Sequence, residues 1–224
     1  MKQKRNLVKI EVDSDQQINE VYVNRFLRKY QIMKEKINSR LSDFDSIDKS
    51  DKNKLYEELA FCFLTPQSKA KSADLAIKSL IENKILFSGS AEEIQPHLRG
   101  IRFHITKSKR LEASREVFDN FNFNFSNIFL LRDEIVNSFK GIGMKEASHF
   151  LRNIGYGSDI AILDRHILKN LKHVGVIEEV PATISRKKYI EIEDKMKDFC
   201  NNIGISMAEL DLLLWSEETG EIIK

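Results

Sequence analysis

The sequence predicts an all-α protein of two helical lobes flanking a cleft. Three observations predict it. Only 3 prolines and 9 glycines punctuate 224 residues, alternating β-branched runs are short, and apolar residues recur at helical spacing along most of the chain. About ten helices are expected on that pattern.

Residues 21–44 read as one long amphipathic helix, with Val23, Phe26, Leu27, Tyr30, Met33 and Ile37 on a common face. Residues 55–64 form a more buried helix, ended by Thr65-Pro66, and the next helix is expected to open near Gln67 and run to about Asn83. Short helices follow over 91–98 and 108–118, then 128–139. A glycine-bearing break at Gly141-Ile142-Gly143 precedes a helix over 145–153. After a turn at Gly155 and Gly157, Asp164 has the position of an N-cap before a helix over 166–173. Helices over 185–202 and 206–217 close the chain. Residues 1–17 are set apart as an N-terminal extension whose LVKIEV either forms a short strand or frays; residues 18–224 form the domain, with the hairpin at 139–145.

Composition bounds the function only loosely. The 42% hydrophobic and 31% charged shares are ordinary for a soluble globular chain. No apolar run reaches the roughly 18 residues of a membrane span, and the charged N-terminus has no secretory h-region. A cytoplasmic protein without membrane contact is therefore expected. The net charge of +2 neither demands nor excludes a nucleic-acid partner; clustering of the basic residues decides that. Cys62 and Cys200 lie far apart in apolar helical contexts and read as buried free thiols. Neither zinc nor an iron–sulfur cluster can be built from them, and His104, His149 and His166 lack zinc-ligand spacing and read as structural or DNA-proximal. No cofactor and no side-chain metal site are expected.

The segment SFKGIGMKEASHFLRNIGYG, residues 138–157, is the most informative. An apolar-x-Gly-x-Gly turn between two helical stretches marks a helix-hairpin-helix. Gly141 and Gly143 permit positive φ and let the backbone approach a partner closely. Successive amides followed by a helix N-terminus suit an anion, and a DNA phosphate needs no base sequence to bind there. The turn's carbonyls can also hold a monovalent cation bridging to that phosphate. A plain αα-turn with glycines for tight packing is the competing reading.

Lys145 follows directly, in the first turn of the second hairpin helix. There the helix dipole disfavours a positive charge, and partial burial acts in the same direction, raising the share of free amine for Schiff-base chemistry. Asp164 comes nineteen residues later in AILDRHIL. A fixed carboxylate stabilises the oxocarbenium character that develops on deoxyribose when a glycosidic bond breaks, and an amine can then displace the base. A solvated or phosphate-pairing lysine and a simple N-cap aspartate are what each residue suggests alone.

GIGMKEASHFLRNIGYG followed by AILDRHIL resembles the helix-hairpin-helix DNA glycosylase superfamily. Within it, the chain is similar to the compact, mainly archaeal second family of 8-oxoguanine DNA glycosylase/lyases. LAFCFLTPQSKAKSA (59–73), GIRFHITKSKRL (100–111), LKHVGVI (171–177) and ELDLLLWSEETGEIIK (209–224) agree, so that the likeness spans roughly residues 20–224. The resemblance implies a two-lobed fold with the active site in the cleft, Lys145 as nucleophile and Asp164 as its carboxylate partner. It implies a bifunctional enzyme that removes 8-oxoguanine through a lysine Schiff base and cuts the strand by β-elimination, acting as a monomer on double-stranded DNA with 8-oxoguanine or abasic sites. It also implies that Gln67 faces DNA, that Phe103 and Trp215 line the base pocket, and that Lys224 reaches the flipped purine through its ammonium or its carboxylate. From periodicity alone Phe103 and Trp215 are equally well core residues. The absence of a four-cysteine tail separates the chain from endonuclease III-like relatives, whose substrates are oxidised pyrimidines.

Lys69, Lys71, Lys107, Lys109 and Arg110 are expected near the cleft as phosphate contacts, whereas Lys34, Lys36, Lys187 and Lys188 read as solvated helix faces. Two other functions stay open at this point: a glycosylase for another lesion (an oxidised pyrimidine or a mismatched base), and a non-catalytic helix-hairpin-helix DNA-binding module.

Overall fold

The structure, a computed structural model, describes residues 18–219; the expected extension over 1–17 and Lys224 lie outside them. Ten α-helices and one 3-10 turn, with no strand, make up the described residues. They divide into two compact units, one of described residues 43–157 and one of described residues 18–42 and 158–219.

The 43–157 unit is built around α2 (Lys52–Leu64), which packs against α3 (Ala70–Glu82), α5 (His104–Asn120) and α7 (Met144–Asn153). Every residue from Glu58 to Leu64 is buried, as a helix covered on all sides requires. Each Leu or Phe fully buried there contributes about 1.5–3 kcal/mol. Asp51 caps the start of α2 by accepting from the amides of Asn53 and Lys54. Its polar positions are matched: the Glu58 carboxylate accepts from Asn153 Nδ2 of α7 at 2.9 Å. Between α3 and α5 lie α4 (Ala91–Ile94) and the 3-10 turn Gln95–His97; α6 (Ile128–Ser138) pairs with α7 as a helical hairpin.

In the other unit, α1 (Glu20–Asp45) carries its expected stripe. Val23, Phe26, Tyr30 and Ile37 are buried, and Leu27 and Met33 are partly covered. Its last three residues belong to the 43–157 unit. With α1 stand α8 (Arg165–Val174), α9 (Arg186–Ile203) and α10 (Met207–Thr219). Tyr22 Oη donates to Asn170 Oδ1 of α8 at 2.8 Å, and Tyr30 Oη to Glu209 Oε1 of α10 at 2.6 Å. Both cysteines are buried free thiols, as expected.

Two boundaries differ from expectation. No helix opens at Gln67: that residue sits in a turn with φ +55°, and α3 begins only at Ala70. Proline at 66 suggested a helix start, but the chain makes one more turn before its amides align. Conversely, α5 starts at His104 rather than 108, behind a left-handed Phe103 that offers no side-chain cap.

Candidate active site

Asn127 starts α6 by accepting from the Leu130 amide, and the helix ends at Phe139, whose carbonyl takes the Ile142 amide at 3.0 Å. Gly141 then adopts φ +100°. A β-carbon here would lie 2.6–2.7 Å from the end of the Arg110 side chain, which would have to swing aside, and it is the conformation that calls for glycine. Gly143 does not use the positive φ open to it: at φ −103° it caps α7, its carbonyl accepting from Ala147 and its amide donating to Glu146 Oε2 at 3.2 Å.

Lys145 is the second residue of α7, with its side chain 25% exposed and its Nζ 3.5 Å from Glu146 Oε1. One carboxylate thus faces both the hairpin amide and the lysine. In the same unit, Gln67 and Phe103 are exposed, and both have left-handed backbones although neither is glycine. Phe103 is 57% exposed and lies under the Arg102 guanidinium, 5.6 Å from ring centroid to Cζ, so it is not a core residue.

Asp164 belongs to the other unit. It caps α8 as expected, with Oδ1 accepting from the amides of His166 and Ile167, both at 2.8 Å; neither amide goes to Oδ2. The irregular segment leading to it is held by two buried α9 side chains that sequence reasoning missed. Glu193 Oε1 accepts the Ala161 amide at 2.7 Å; Tyr189 Oη donates to the Ala161 carbonyl at 2.6 Å and accepts from the Leu163 amide at 3.2 Å. Trp215, partly exposed on α10, presents its ring edge-on to His166, 6.1 Å between centroids. Trp215 therefore stands beside the first turn that Asp164 caps. Lys224 lies outside the described residues.

The basic residues divide. Lys69, Lys71 and Lys109 are exposed, and Arg110 packs on Gly141. Lys107 corrects expectation: it is 3% exposed, and its three ammonium hydrogens have acceptors in Leu64 O, Pro66 O and Ser68 Oγ at 2.8, 2.6 and 3.2 Å. Placed so, it faces the protein and not a phosphate. Burial, helped by the nearby charges of Lys145 and Arg110, pulls its pKa down to about 8.

An all-α chain with a Gly-x-Gly hairpin leading into a lysine-bearing helix is a helix-hairpin-helix protein of the DNA glycosylase type. The chain belongs to the 8-oxoguanine DNA glycosylase family, whose sequence profile matches residues 37–205. It is 44% identical over 213 residues to an 8-oxoguanine DNA glycosylase/AP lyase of Fusobacterium nucleatum, covering 91% of this chain and 98% of the relative. The Methanocaldococcus jannaschii protein of that description is 36% identical over 200 residues, 86% of this chain and 93% of the relative. Among solved structures, the 8-oxoguanine DNA glycosylase of Thermotoga maritima superposes with a TM-score of 0.84 at 31% identity, covering 92% of this chain and 99% of that one. The M. jannaschii glycosylase/lyase in complex with a 15mer DNA containing 8-oxoguanine superposes with a TM-score of 0.81 at 32% identity, covering 89% and 100%.

Proposed function

We propose that this protein is a bifunctional DNA glycosylase/AP lyase that removes 8-oxoguanine from double-stranded DNA. The observation that carries the reading is Lys145, a partly buried amine in the first turn of the helix that follows the glycine hairpin. The N-terminus of α7, opening directly after the glycine turn, holds a phosphate without reading sequence, fixing the strand next to that amine. The target nucleotide leaves the stack, and its base meets Phe103 and Trp215, with Gln67 against the DNA.

The free amine of Lys145 attacks C1′ of the deoxyribose as the glycosidic C1′–N9 bond breaks, and the base leaves with the bonding pair. The Asp164 carboxylate stabilises the positive charge that develops on the sugar. Ring opening gives a protonated imine between Nζ and C1′. Loss of a C2′ proton then expels the 3′ phosphate by β-elimination, cutting the strand, and hydrolysis of the imine returns the amine. No cofactor enters these steps.

Borohydride tests the reading, because reducing the imine leaves a stable secondary amine that links protein to DNA. Wild-type protein with an 8-oxoguanine duplex should form a covalent complex, and Lys145→Gln should form none and cut no strand while still binding. Strand cleavage by Lys145→Gln would overturn the assignment. Excision of oxidised pyrimidines or mismatched bases in preference to 8-oxoguanine would move the substrate, and binding with no base release would leave a DNA-binding module.

A further inference from the structure

Lys107 stands in the first turn of α5, yet its ammonium lies at the opposite pole of a neighbouring helix. Leu64 O is a C-terminal carbonyl of α2, where the helix dipole favours a cation. The same ammonium takes Pro66 O and Ser68 Oγ, so it spans the turn that carries Gln67. Ser68 extends the connection: its Oγ also accepts the Arg102 amide at 3.0 Å, and its own hydrogen points to Pro66 O at 3.5 Å. Arg102 immediately precedes Phe103. One buried cation therefore joins the end of α2, the 65–68 turn and the 100–103 turn.

Both turns hold a strained residue. Gln67 has φ +55° and Phe103 φ +58°, conformations that cost non-glycine residues on the order of 1–3 kcal/mol and persist only where the surroundings impose them. Neither strain serves core packing, because both side chains are exposed. What the strain does is fix the direction in which an amide and an aromatic ring leave the surface.

We propose that Lys107 is a positioning residue for base removal, acting through the Leu64 and Pro66 carbonyls and the Ser68 hydroxyl to hold Gln67 and Phe103 in their left-handed conformations. The inference rests on the proposed function, in which those two side chains meet the DNA and the extruded base. Lys107 itself touches neither. The charged groups facing it are Lys145 and Glu146 of α7 and Arg110 of its own helix; from the 64–68 segment it meets only carbonyls and a hydroxyl.

The test compares two reactions of the full chain under single-turnover conditions: release of 8-oxoguanine from a lesion duplex, and cleavage of a duplex carrying a preformed abasic site. Both use the Lys145 amine, but only the first has a base to hold. Lys107→Met should slow base release by roughly 30-fold and abasic-site cleavage by no more than about 3-fold, since misplacing a contacting group by about 1 Å can cost on the order of a hundredfold. Ser68→Ala leaves both lysines in place and removes the hydroxyl that accepts from Lys107 and from the Arg102 amide, so that the tie to the 100–103 turn is lost while Lys107 keeps the Leu64 and Pro66 carbonyls; it should slow base release by about 5-fold with abasic-site cleavage unchanged. Ser68→Thr keeps the hydroxyl and should restore the wild-type ratio. Thermal melting checks each variant, and if Lys107→Met does not fold, the two Ser68 variants decide. A parallel fall of both reactions, or an unchanged ratio in Ser68→Ala, overturns the proposal. Failure of the proposed function would show separately, as wild-type protein that borohydride does not trap.

Discussion

The Arg110 side chain occupies the space that a β-carbon on Gly141 would need. Alanine at Gly141 must displace that side chain and also hold a φ of +100° that L residues rarely adopt. Gly141→Ala should therefore distort the hairpin rather than the core. Binding of any duplex, damaged or not, should weaken by about tenfold while the melting curve moves little, because a lost phosphate contact carries no sequence information. Titration with undamaged and lesion duplexes checks it. A loss confined to lesion DNA would place the hairpin's role elsewhere.

Asp164→Asn separates the cap from the charge. An amide oxygen can still accept the His166 and Ile167 amides, and Asn and Asp cap helices about equally well, so stability should change by less than about 1 kcal/mol. Base release should fall by on the order of 100-fold or more, as expected when a preorganised charge is removed. Near-normal turnover by a well-folded variant would reduce Asp164 to a cap.

Tyr189→Phe should act on the same aspartate from a distance. It strips one buried carbonyl, Ala161 O, and one buried amide, Leu163 N, of their partner, at a cost of about 1–3 kcal/mol for a buried polar group left unsatisfied. Urea unfolding should show that loss. Base release should fall further than the stability change alone dictates, because the loosened segment ends at Asp164.

Lys107 makes stability depend on pH with a definite sign. Its pKa is lowered by burial from 10.5 to about 8 in the folded protein. Below about 8 both folded and unfolded chains hold the proton, and the full cost of the buried charge is present. Between about 8 and 10.5 the unfolded chain holds a proton that the folded chain has released, so this residue's contribution to stability rises with pH there. Unfolding free energies measured across that window should rise less steeply in Lys107→Met than in wild type. The neutral amine has two hydrogens for three acceptors, so the ratio of base release to abasic-site cleavage should fall over the same pH range as stability rises.

What was legible in the sequence was mostly local. Asp164 as an N-cap and the glycine hairpin are contacts between near neighbours, and the apolar stripe of α1 is a period within one helix, so spacing reveals all three. Lys107 was not legible as an internal cation because its acceptors lie 39 to 43 residues away, and among basic neighbours it resembled a phosphate contact. Tyr189 was hidden for the same reason, 26 and 28 residues from the backbone groups it serves. The left-handed turns at Gln67 and Phe103 escaped because neither residue type favours that conformation. Only the tertiary contacts that enforce it make them visible.

The two thiols give each unit its own clock. Cys62 lies in the 43–157 unit and Cys200 in the other, and the sequence contains no third cysteine. Burial raises the pKa of both, that of Cys200 to about 12, so the reactive thiolate is scarce while the protein is folded. An alkylating reagent must wait for the surroundings of each thiol to open, and at reagent concentrations where alkylation outpaces reclosing, the rate at which each cysteine is marked is the rate at which its surroundings come apart. Without any label being engineered in, the chain reports separately how often each half breathes.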